Sequence, residues 1–170
     1  MKQTGHLEIE IKFRIPALAA LRAGLEACGF TQVQAQAEEA SVLWDRQGAL
    51  YAAGCALRLR RYAGRATLTH KGARVEDPRL KIRPEVETEV ADPAAMEGIL
   101  EALGFAPVLA MTKSRSVWRR GDLEACLDEA PFGCFLELEG SPEAIREAAE
   151  LLGLGDDQVE TRSYPTLFQG

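Results

Sequence analysis

The sequence predicts an α+β fold in which charged strands are combined with three amphipathic helices. Residues 7–15 alternate strictly between apolar and charged side chains, which is the pattern of a strand with one apolar face. Residues 18–28, 93–103 and 142–152 instead repeat apolar side chains at helical spacing. Each of these segments has a proline near its start and a glycine after its end, as helices often do.

Further alternating stretches predict strands at residues 57–62, 66–71, 80–90, 112–119, 123–128 and 135–139, and a short one at 42–45. Residues 31–41 have a weak pattern, which allows either strand or loop. Glycines predict turns at residues 47–48 and 53–54. Residues 72–79 are polar and contain a proline, which predicts a loop.

Composition is that of an ordinary globular protein, with 170 residues, 46% of them hydrophobic and 27% charged. This length suits a single domain spanning residues 1–170. The net charge of −6 and the pI of about 5.1 argue against nucleic acid and anionic membranes as partners. The four cysteines form no C-x-x-C pair, and no apolar signal or membrane segment is visible. We therefore expect free thiols and a cytoplasmic location.

The charged faces of the strands need an explanation, because the apolar faces are required to cover the helices. The charges then face either bulk water, as a salt-bridged surface, or the inside of a closed barrel. They are also sorted by sign: carboxylate pairs lie at Glu8/Glu10 and Glu137/Glu139, and cationic pairs at Arg58/Arg60 and Lys113/Arg115. Paired carboxylates repel unless a cation lies between them, and arginine matches phosphate geometry. A barrel lined in this way would hold a metal-bound polyphosphate, although the pattern alone leaves both alternatives open.

Several of these residues also form a series of short motifs. In chain order they are Glu8-x-Glu10-x-Lys12, Leu57-Arg58-Leu59-Arg60, Lys71-Gly72, Arg83-x-Glu85-x-Glu87, Lys113-x-Arg115, Asp128, Glu137-x-Glu139-Gly140 and Ser163-Tyr164. The series resembles the signature of the CYTH superfamily, the triphosphate tunnel metalloenzymes, over the whole chain. The family includes class IV adenylate cyclases, thiamine triphosphatases and inorganic triphosphatases. The resemblance implies a closed eight-stranded antiparallel β-barrel, forming a tunnel, with helices packed on the outside.

The resemblance also implies roles for individual residues. The expected ligands of Mg²⁺ or Mn²⁺ are Glu8, Glu10, Glu137 and Glu139. The expected triphosphate ligands are Lys12, Arg58, Arg60, Lys71, Lys113 and Arg115. Supporting or catalytic roles are expected for Arg83, Glu85, Glu87 and Asp128, the last helping a second metal ion or positioning the nucleophile.

Three functions are compatible with such a site. The favoured one is a triphosphatase, in which a metal-activated water attacks the terminal phosphorus of inorganic triphosphate, thiamine triphosphate or a nucleoside triphosphate. It needs no base pocket, and Trp44 and Trp118 are expected to pack in cores rather than stack on a base. The alternative is a class IV adenylate cyclase, which makes cyclic AMP and pyrophosphate from ATP. A third is a binding module without turnover. The partner is a small-molecule triphosphate, and the protein is expected to be a monomer or a homodimer.

Overall fold

The computed structural model describes residues 5–169, which form a closed antiparallel barrel of eight strands. The strand order around the barrel is β1-β5-β4-β3-β2-β6-β7-β8. The strands are β1 (Gly5–Ile15), β2 (Thr31–Asp45), β3 (Ala56–Tyr62), β4 (Arg65–Lys71), β5 (Lys81–Glu89), β6 (Ala106–Arg120), β7 (Leu123–Ala130) and β8 (Gly133–Glu139). The helices are α1 (Leu18–Ala27), α2 (Ala49–Ala52), α3 (Pro93–Ala102), α4 (Pro142–Leu151) and α5 (Tyr164–Gln169). The predicted α+β fold class is therefore confirmed.

Two strands are longer than the sequence pattern predicted. β2 and β6 each run for 15 residues, whereas strands were predicted at residues 42–45 and 112–119, with residues 31–41 left as either strand or loop. Val33 and Val108, in the first halves of these strands, are more than half exposed. The first halves of these strands bury few side chains, so they lack the alternation by which a half-buried strand is recognised.

The short helix α2 lies where the sequence predicted only turns. Its position depends on Asp45, whose carboxylate accepts hydrogen bonds from the backbone N–H groups of Arg46, Leu50 and Tyr51 at 2.6–3.0 Å. These bonds, led by the one from Leu50, lower the pKa of Asp45. Asp45 therefore fixes the chain between the end of β2 and α2.

The three predicted helices begin and end where the sequence indicated. Asp92 accepts hydrogen bonds from the N–H groups of Ala94 and Ala95 at the start of α3, and proline occupies the first helical position. Ser141 caps α4 in the same way. Gly104 follows α3 with a φ of 83°, a left-handed conformation that glycine adopts without strain.

Contacts divide the chain into two compact units, each with its own apolar core. The second unit comprises Glu8–Ala37, Asp77–Lys81 and residues 113–169. In its core, Phe13 of β1, Leu136 of β8 and Leu25 of α1 are fully buried together with Ala148 of α4. The apolar face predicted for β1 therefore covers helices, as expected.

The first unit comprises residues 5–7, Glu38–Glu76 and Ile82–Thr112. Its core is smaller: Leu100 of α3 packs with Trp44, Leu59 and Val90. Trp118 is likewise buried in the core of the second unit. The prediction that both tryptophans serve packing is therefore confirmed.

Many charged side chains on the strands are buried, which excludes a uniformly solvated charged face. The buried ones include Glu8, Lys12, Glu85, Lys113, Arg115 and Asp128. The four cysteines are free, as expected. Within residues 5–169, no helix is both long and apolar enough to cross a membrane.

Candidate active site

The alternation of β1 places Glu8, Glu10 and Lys12 on one face of the strand. β1 pairs antiparallel with β8, and the register sets Glu10 opposite Glu139 and Lys12 opposite Glu137. Two predicted metal ligands thus lie directly across from each other. The predicted phosphate ligand Lys12 lies beside a carboxylate on the neighbouring strand.

Asp128 is the centre of a buried charged group in the second unit, which we call the Asp128 cluster (Lys12, Lys113, Arg115, Asp128, Glu137 and Tyr164). The Asp128 carboxylate is 0% exposed. It accepts hydrogen bonds from Lys113 Nζ at 2.9 Å, from Arg115 Nε at 2.6 Å and from Arg115 Nη2 at 2.5 Å. Tyr164 Oη donates a further bond at 2.5 Å. Asp128 thus holds two predicted phosphate ligands in place, and both of its oxygens are engaged in doing so.

Glu137 is joined to the same cluster by Arg115, whose Nη2 donates to Glu137 Oε2 at 2.5 Å. Burial opposes ionisation of this carboxyl, but the charges of Lys113 and Arg115, followed by Lys12, outweigh burial and hold the pKa of Glu137 well below its usual range. Glu137 is therefore an anion with cationic neighbours.

Lys12 carries a buried ammonium group. The residue is 1% exposed, and its Nζ has no hydrogen-bond acceptor among the described residues. Burial lowers the pKa of Lys12 to about 7, with Glu137 acting in the opposite direction. Because a buried donor without an acceptor is unfavourable, an incoming oxyanion would stabilise this group.

Lys81 contacts a predicted site residue, although it was not itself predicted to belong to the site. Its Nζ lies 3.2 Å from Glu10 Oε1, and both side chains are largely buried. The alternation of residues 80–90 already placed Lys81 on the charged face of its strand, so the signal was present. For Tyr164, apart from the Ser163-Tyr164 motif, nothing in the sequence indicated that its side chain lies in the Asp128 cluster.

A divalent metal ion requires oxygen ligands that are free to gather around it. Glu8, Glu10 and Glu139 supply carboxylate oxygens, the ligands that Mg²⁺ and Mn²⁺ prefer. Within residues 5–169, no three acidic, histidine or cysteine side chains are gathered closely enough to hold a metal ion. The carboxylate oxygens are of the kind that a hard divalent cation prefers, and Glu10 and Glu139 are opposed in the sheet, but the described side chains are not gathered around one point. Glu137 accepts a hydrogen bond from Arg115.

The first unit contains a second charged group, which we call the Arg60 cluster (Glu39, Arg58, Arg60, Thr67, Thr69 and Glu87). Arg60 lies 3.8 Å from Glu39 and 3.6 Å from Glu87, and its Nε donates to Thr67 at 3.3 Å. Thr69 donates to Glu87 at 2.5 Å, and Arg58 lies 4.0 Å from the same carboxylate.

The sequence motifs include Arg58, Arg60 and Glu87 but do not include Glu39, which is 3% exposed. Glu39 lies in the segment that was left as strand or loop. Had β2 been extended back from residues 42–45, alternation with Ser41 would have placed Glu39 on the buried face.

Arg83 and Lys71 have different surroundings, although both are predicted site residues of the first unit. Lys71 Nζ forms an ion pair with Glu85 at 2.9 Å. Arg83 donates to the backbone carbonyls of Gly72 at 2.6 and 2.9 Å and of Lys71 at 3.2 Å. Arg83 therefore fixes the chain just after β4, while Lys71 ends in an ammonium group that is held by a carboxylate.

Each unit thus gathers cations of the type that bind phosphate oxygens, held in place by carboxylates. A family model of the CYTH domain matches residues 6–164. The chain is 31% identical over 169 residues to MJ0240 of Methanocaldococcus jannaschii, a proposed adenylate cyclase, and the match covers 93% of this chain and 96% of that protein. It is 29% identical over 180 residues to adenylate cyclase CyaB of Aeromonas hydrophila, covering 97% and 90% of the two chains. The protein therefore belongs to the CYTH family.

The fold is also similar to solved structures. HpAC1 of Hippeastrum, a proposed adenylyl cyclase with a dominant triphosphatase activity, has a TM-score of 0.70 to this chain. The match covers 95% of each chain at 22% sequence identity, so it concerns the fold alone. Members of the CYTH family are triphosphatases or adenylate cyclases, and the family is associated with divalent metal ions. The protein is accordingly an enzyme of one of these two kinds.

Proposed function

We propose that the protein is a divalent-metal-dependent triphosphatase, which removes the terminal phosphate of inorganic triphosphate, thiamine triphosphate or a nucleoside triphosphate. The observation that carries this proposal is the buried ammonium group of Lys12, which has no hydrogen-bond acceptor among the described residues and lies in one cluster with Lys113 and Arg115. Phosphoryl transfer depends mainly on positioning and on stabilisation of charge. Preorganised buried cations meet that requirement.

In this proposal, the chain's own residues bind and orient the phosphate chain. Lys12 donates to phosphate oxygens, and Lys113 and Arg115 do the same while Asp128 fixes their direction. Arg58, Arg60 and Lys71 have the phosphate-binding roles that the motifs predict. Because their carboxylate partners hold these cations in place, little side-chain entropy is lost on binding.

The proposed ligands of Mg²⁺ or Mn²⁺ are Glu8, Glu10 and Glu139, with Glu137 in closer association with Arg115. A bound divalent ion would neutralise charge on the phosphate oxygens. An ion at Glu10 would take the place of Lys81 as the partner of this carboxylate. Lys81 would then become another cation available to the substrate.

Hydrolysis rather than cyclisation is supported by the positions of Trp44, Trp118 and Tyr164. Both tryptophans are buried in apolar cores. The ring of Tyr164 is in contact with the ammonium groups of Lys12 and Lys113. These three rings are therefore engaged elsewhere, and a triphosphatase needs no surface on which to stack adenine.

A class IV adenylate cyclase is the second candidate, and it is favoured by the names of two relatives. In that case the ribose 3′-hydroxyl attacks the α-phosphorus of ATP and pyrophosphate leaves. The name alone is weak support, because HpAC1 combines a proposed cyclase assignment with dominant triphosphatase activity. The same cationic clusters would serve either reaction.

The two reactions are distinguished by their products. The purified full chain is incubated with Mg²⁺ or Mn²⁺ and with tripolyphosphate, thiamine triphosphate or ATP, and phosphate, pyrophosphate and cyclic AMP are measured. We expect phosphate release without cyclic AMP. Equimolar cyclic AMP and pyrophosphate from ATP would establish the cyclase, and saturable binding without any product would contradict the proposed activity.

A pair of variants tests whether the acidic residues take part. Glu10→Gln removes a proposed metal ligand, and Glu101→Gln makes the same chemical change at an exposed position of α3. We expect Glu10→Gln to lose at least about 100-fold in kcat/KM, since several kcal/mol of charge stabilisation are at stake. Glu101→Gln should retain wild-type activity. Full activity in Glu10→Gln would show that the metal assignment is incorrect.

Two further expectations belong to this proposal. We infer that one CYTH domain extends over the chain, as supported by the family match at residues 6–164. We also infer a cytoplasmic location, which is supported by four cysteines that are all free.

A further inference from the structure

The C-terminal helix α5 sends one side chain into the Asp128 cluster. Tyr164, at the start of α5, has its ring centroid 4.1 Å from Lys12 Nζ and 3.9 Å from Lys113 Nζ. Its hydroxyl group donates to Asp128 Oδ2 at 2.5 Å. A single side chain therefore contacts two predicted phosphate ligands and the carboxylate that holds one of them.

The ring of Tyr164 is itself held by other aromatic rings. The ring of Phe135 lies at 90° to it with the centroids 5.6 Å apart, and that of Phe132 lies 6.3 Å away. Phe168, one turn further along α5, packs edge-on against Phe132 at 4.8 Å. Edge-to-face contacts of this kind favour a defined ring orientation. The face of the Tyr164 ring is therefore presented to the lysines by a packed support.

We propose that Tyr164 is a positioning residue, whose ring holds the ammonium groups of Lys12 and Lys113 where phosphate oxygens bind. This inference rests on the proposed triphosphate-binding function. The face of an aromatic ring is electronegative and attracts ammonium groups, most strongly when they are desolvated. Lys12 is buried and its Nζ has no hydrogen-bond acceptor among residues 5–169. Of the two rings beside this Nζ, that of Tyr164 is nearer, at 4.1 Å, than that of Phe135, at 5.8 Å. Lys113 is additionally bound by Asp128.

A purely structural role for Tyr164 is a competing explanation, since it also belongs to the aromatic group. Phe168 offers the matched comparison, because it packs in the same group and on the same helix. Its ring contact is with Phe132, whereas Tyr164 also contacts the two lysines. Truncation of either residue removes aromatic packing, but only truncation of Tyr164 removes the contact with the lysines.

The experiment compares Tyr164→Leu, Tyr164→Phe and Phe168→Leu in the full chain. The affinity for tripolyphosphate is measured by calorimetry without a divalent metal ion, so that the proposed metal-dependent hydrolysis does not occur, and stability is measured by urea unfolding. We expect Tyr164→Leu to raise the Kd at least about tenfold, because desolvated cation–π contacts to two lysines are lost. Tyr164→Phe keeps the ring and should remain within about threefold of the wild-type Kd. Phe168→Leu should lose stability and keep the wild-type Kd.

Three results would overturn the proposal. The first is an unchanged Kd in Tyr164→Leu, and the second is an equal rise of the Kd in Tyr164→Leu and Phe168→Leu. A Tyr164→Phe variant as weak as Tyr164→Leu would assign the effect to the hydroxyl group and contradict the role of the ring. Because binding is measured without turnover, the absence of triphosphatase activity in the wild-type protein would contradict the proposed function and leave this test intact.

Discussion

Glu10 on β1 lies directly opposite Glu139 on β8, and Glu139 in turn lies opposite Glu124 on β7. Like charges in directly opposed positions of a sheet destabilise it. Two cations offset part of this repulsion: Lys81 contacts Glu10, and Arg119 contacts Glu124 at 2.8 Å. We expect a divalent cation bound beside Glu10 and Glu139 to add stability, because it would supply positive charge next to these opposed carboxylates.

Metal binding should therefore be visible in the stability of the protein. An ion present at 100 times its Kd stabilises a folded protein by about 2.7 kcal/mol. We expect Mn²⁺ or Mg²⁺ to raise the Tm of the wild-type chain and to raise that of Glu139→Gln much less. Each protein is compared with itself in the presence and absence of the ion, so that any effect of the substitution on the metal-free state cancels.

Thermal unfolding with and without the ion checks this prediction, with Glu101→Gln as the exposed control. An equal rise in Tm for Glu139→Gln and the wild type would show that Glu139 is no metal ligand.

Asp128 offers a second test, since it holds Lys113 and Arg115. Asp128→Asn keeps the shape of the side chain but removes the charge that balances two buried cations. Breaking a buried ion pair in this way costs about 3–5 kcal/mol. We expect a loss of this size in the free energy of unfolding, measured with urea, together with loss of activity.

The matched control for Asp128→Asn is Asp122→Asn, at an exposed position in the turn between β6 and β7. Such a surface change is expected to remain within about 0.5 kcal/mol of the wild type. Wild-type stability of Asp128→Asn would contradict the central role of Asp128 in the cluster.

The pairing of Arg115 with Asp128 was within reach of sequence reasoning, because strands were predicted at residues 112–119 and 123–128 with only a short connection between them. In an antiparallel hairpin the turn fixes the register, and the observed register sets Arg115 opposite Asp128. The charged face of β1 was predicted for a similar reason, since strict alternation determines which side chains share a face of the strand.

Contacts without such a local rule were not predictable. Tyr164 reaches Asp128 across 36 residues, and nothing in the spacing of the sequence relates the two. Glu39 was missed because the start of β2 buries few side chains. The surroundings of Arg83 were not foreseen either, because its acceptors are backbone carbonyls, which leave no trace in the pattern of side chains.

Arg83 leads to a third prediction, on the difference between structural and substrate-binding cations. Arg83 donates to the carbonyls of Lys71 and Gly72, whereas Arg60 faces carboxylates in the Arg60 cluster. We expect Arg83→Met to lower the free energy of unfolding by about 1–3 kcal/mol, the cost of leaving buried acceptors unsatisfied. We expect Arg60→Met to raise the KM for the triphosphate at least about tenfold, because hydrogen bonds to charged groups contribute about 1.5–3 kcal/mol.

Urea unfolding and steady-state kinetics are measured for each variant. Together they separate a structural role from a substrate-binding role. Kinetics should be corrected for the folded fraction. A KM that rises equally in Arg83→Met and Arg60→Met would show that Arg83 also binds the substrate.

The last prediction concerns acid stability and the carboxyl group of Glu160, which lies outside both clusters. Glu160 accepts hydrogen bonds from Arg162 at 2.7 and 2.8 Å and from Arg14 at 3.1 Å. These bonds, led by those from Arg162, lower the pKa of Glu160 from 4.5 to about 2. Because the folded state holds this proton less tightly than the unfolded state, the contribution of Glu160 to stability is present above about pH 4.5 and is lost as the pH falls towards 2.

The size of this contribution is limited by solvent, since both arginines are about half exposed. We expect Glu160→Gln to be less stable than the wild type by about 1–2 kcal/mol at pH 6, which is at the upper end for partly exposed pairs. The difference should shrink as the pH is lowered from 5 towards 2, as measured by urea unfolding at a series of pH values. Glu150→Gln, at an exposed position of α4, should show no such convergence. If the difference between Glu160→Gln and the wild type stayed constant over this range, ionisation of Glu160 would have no part in it, and its contacts would act through shape and packing alone.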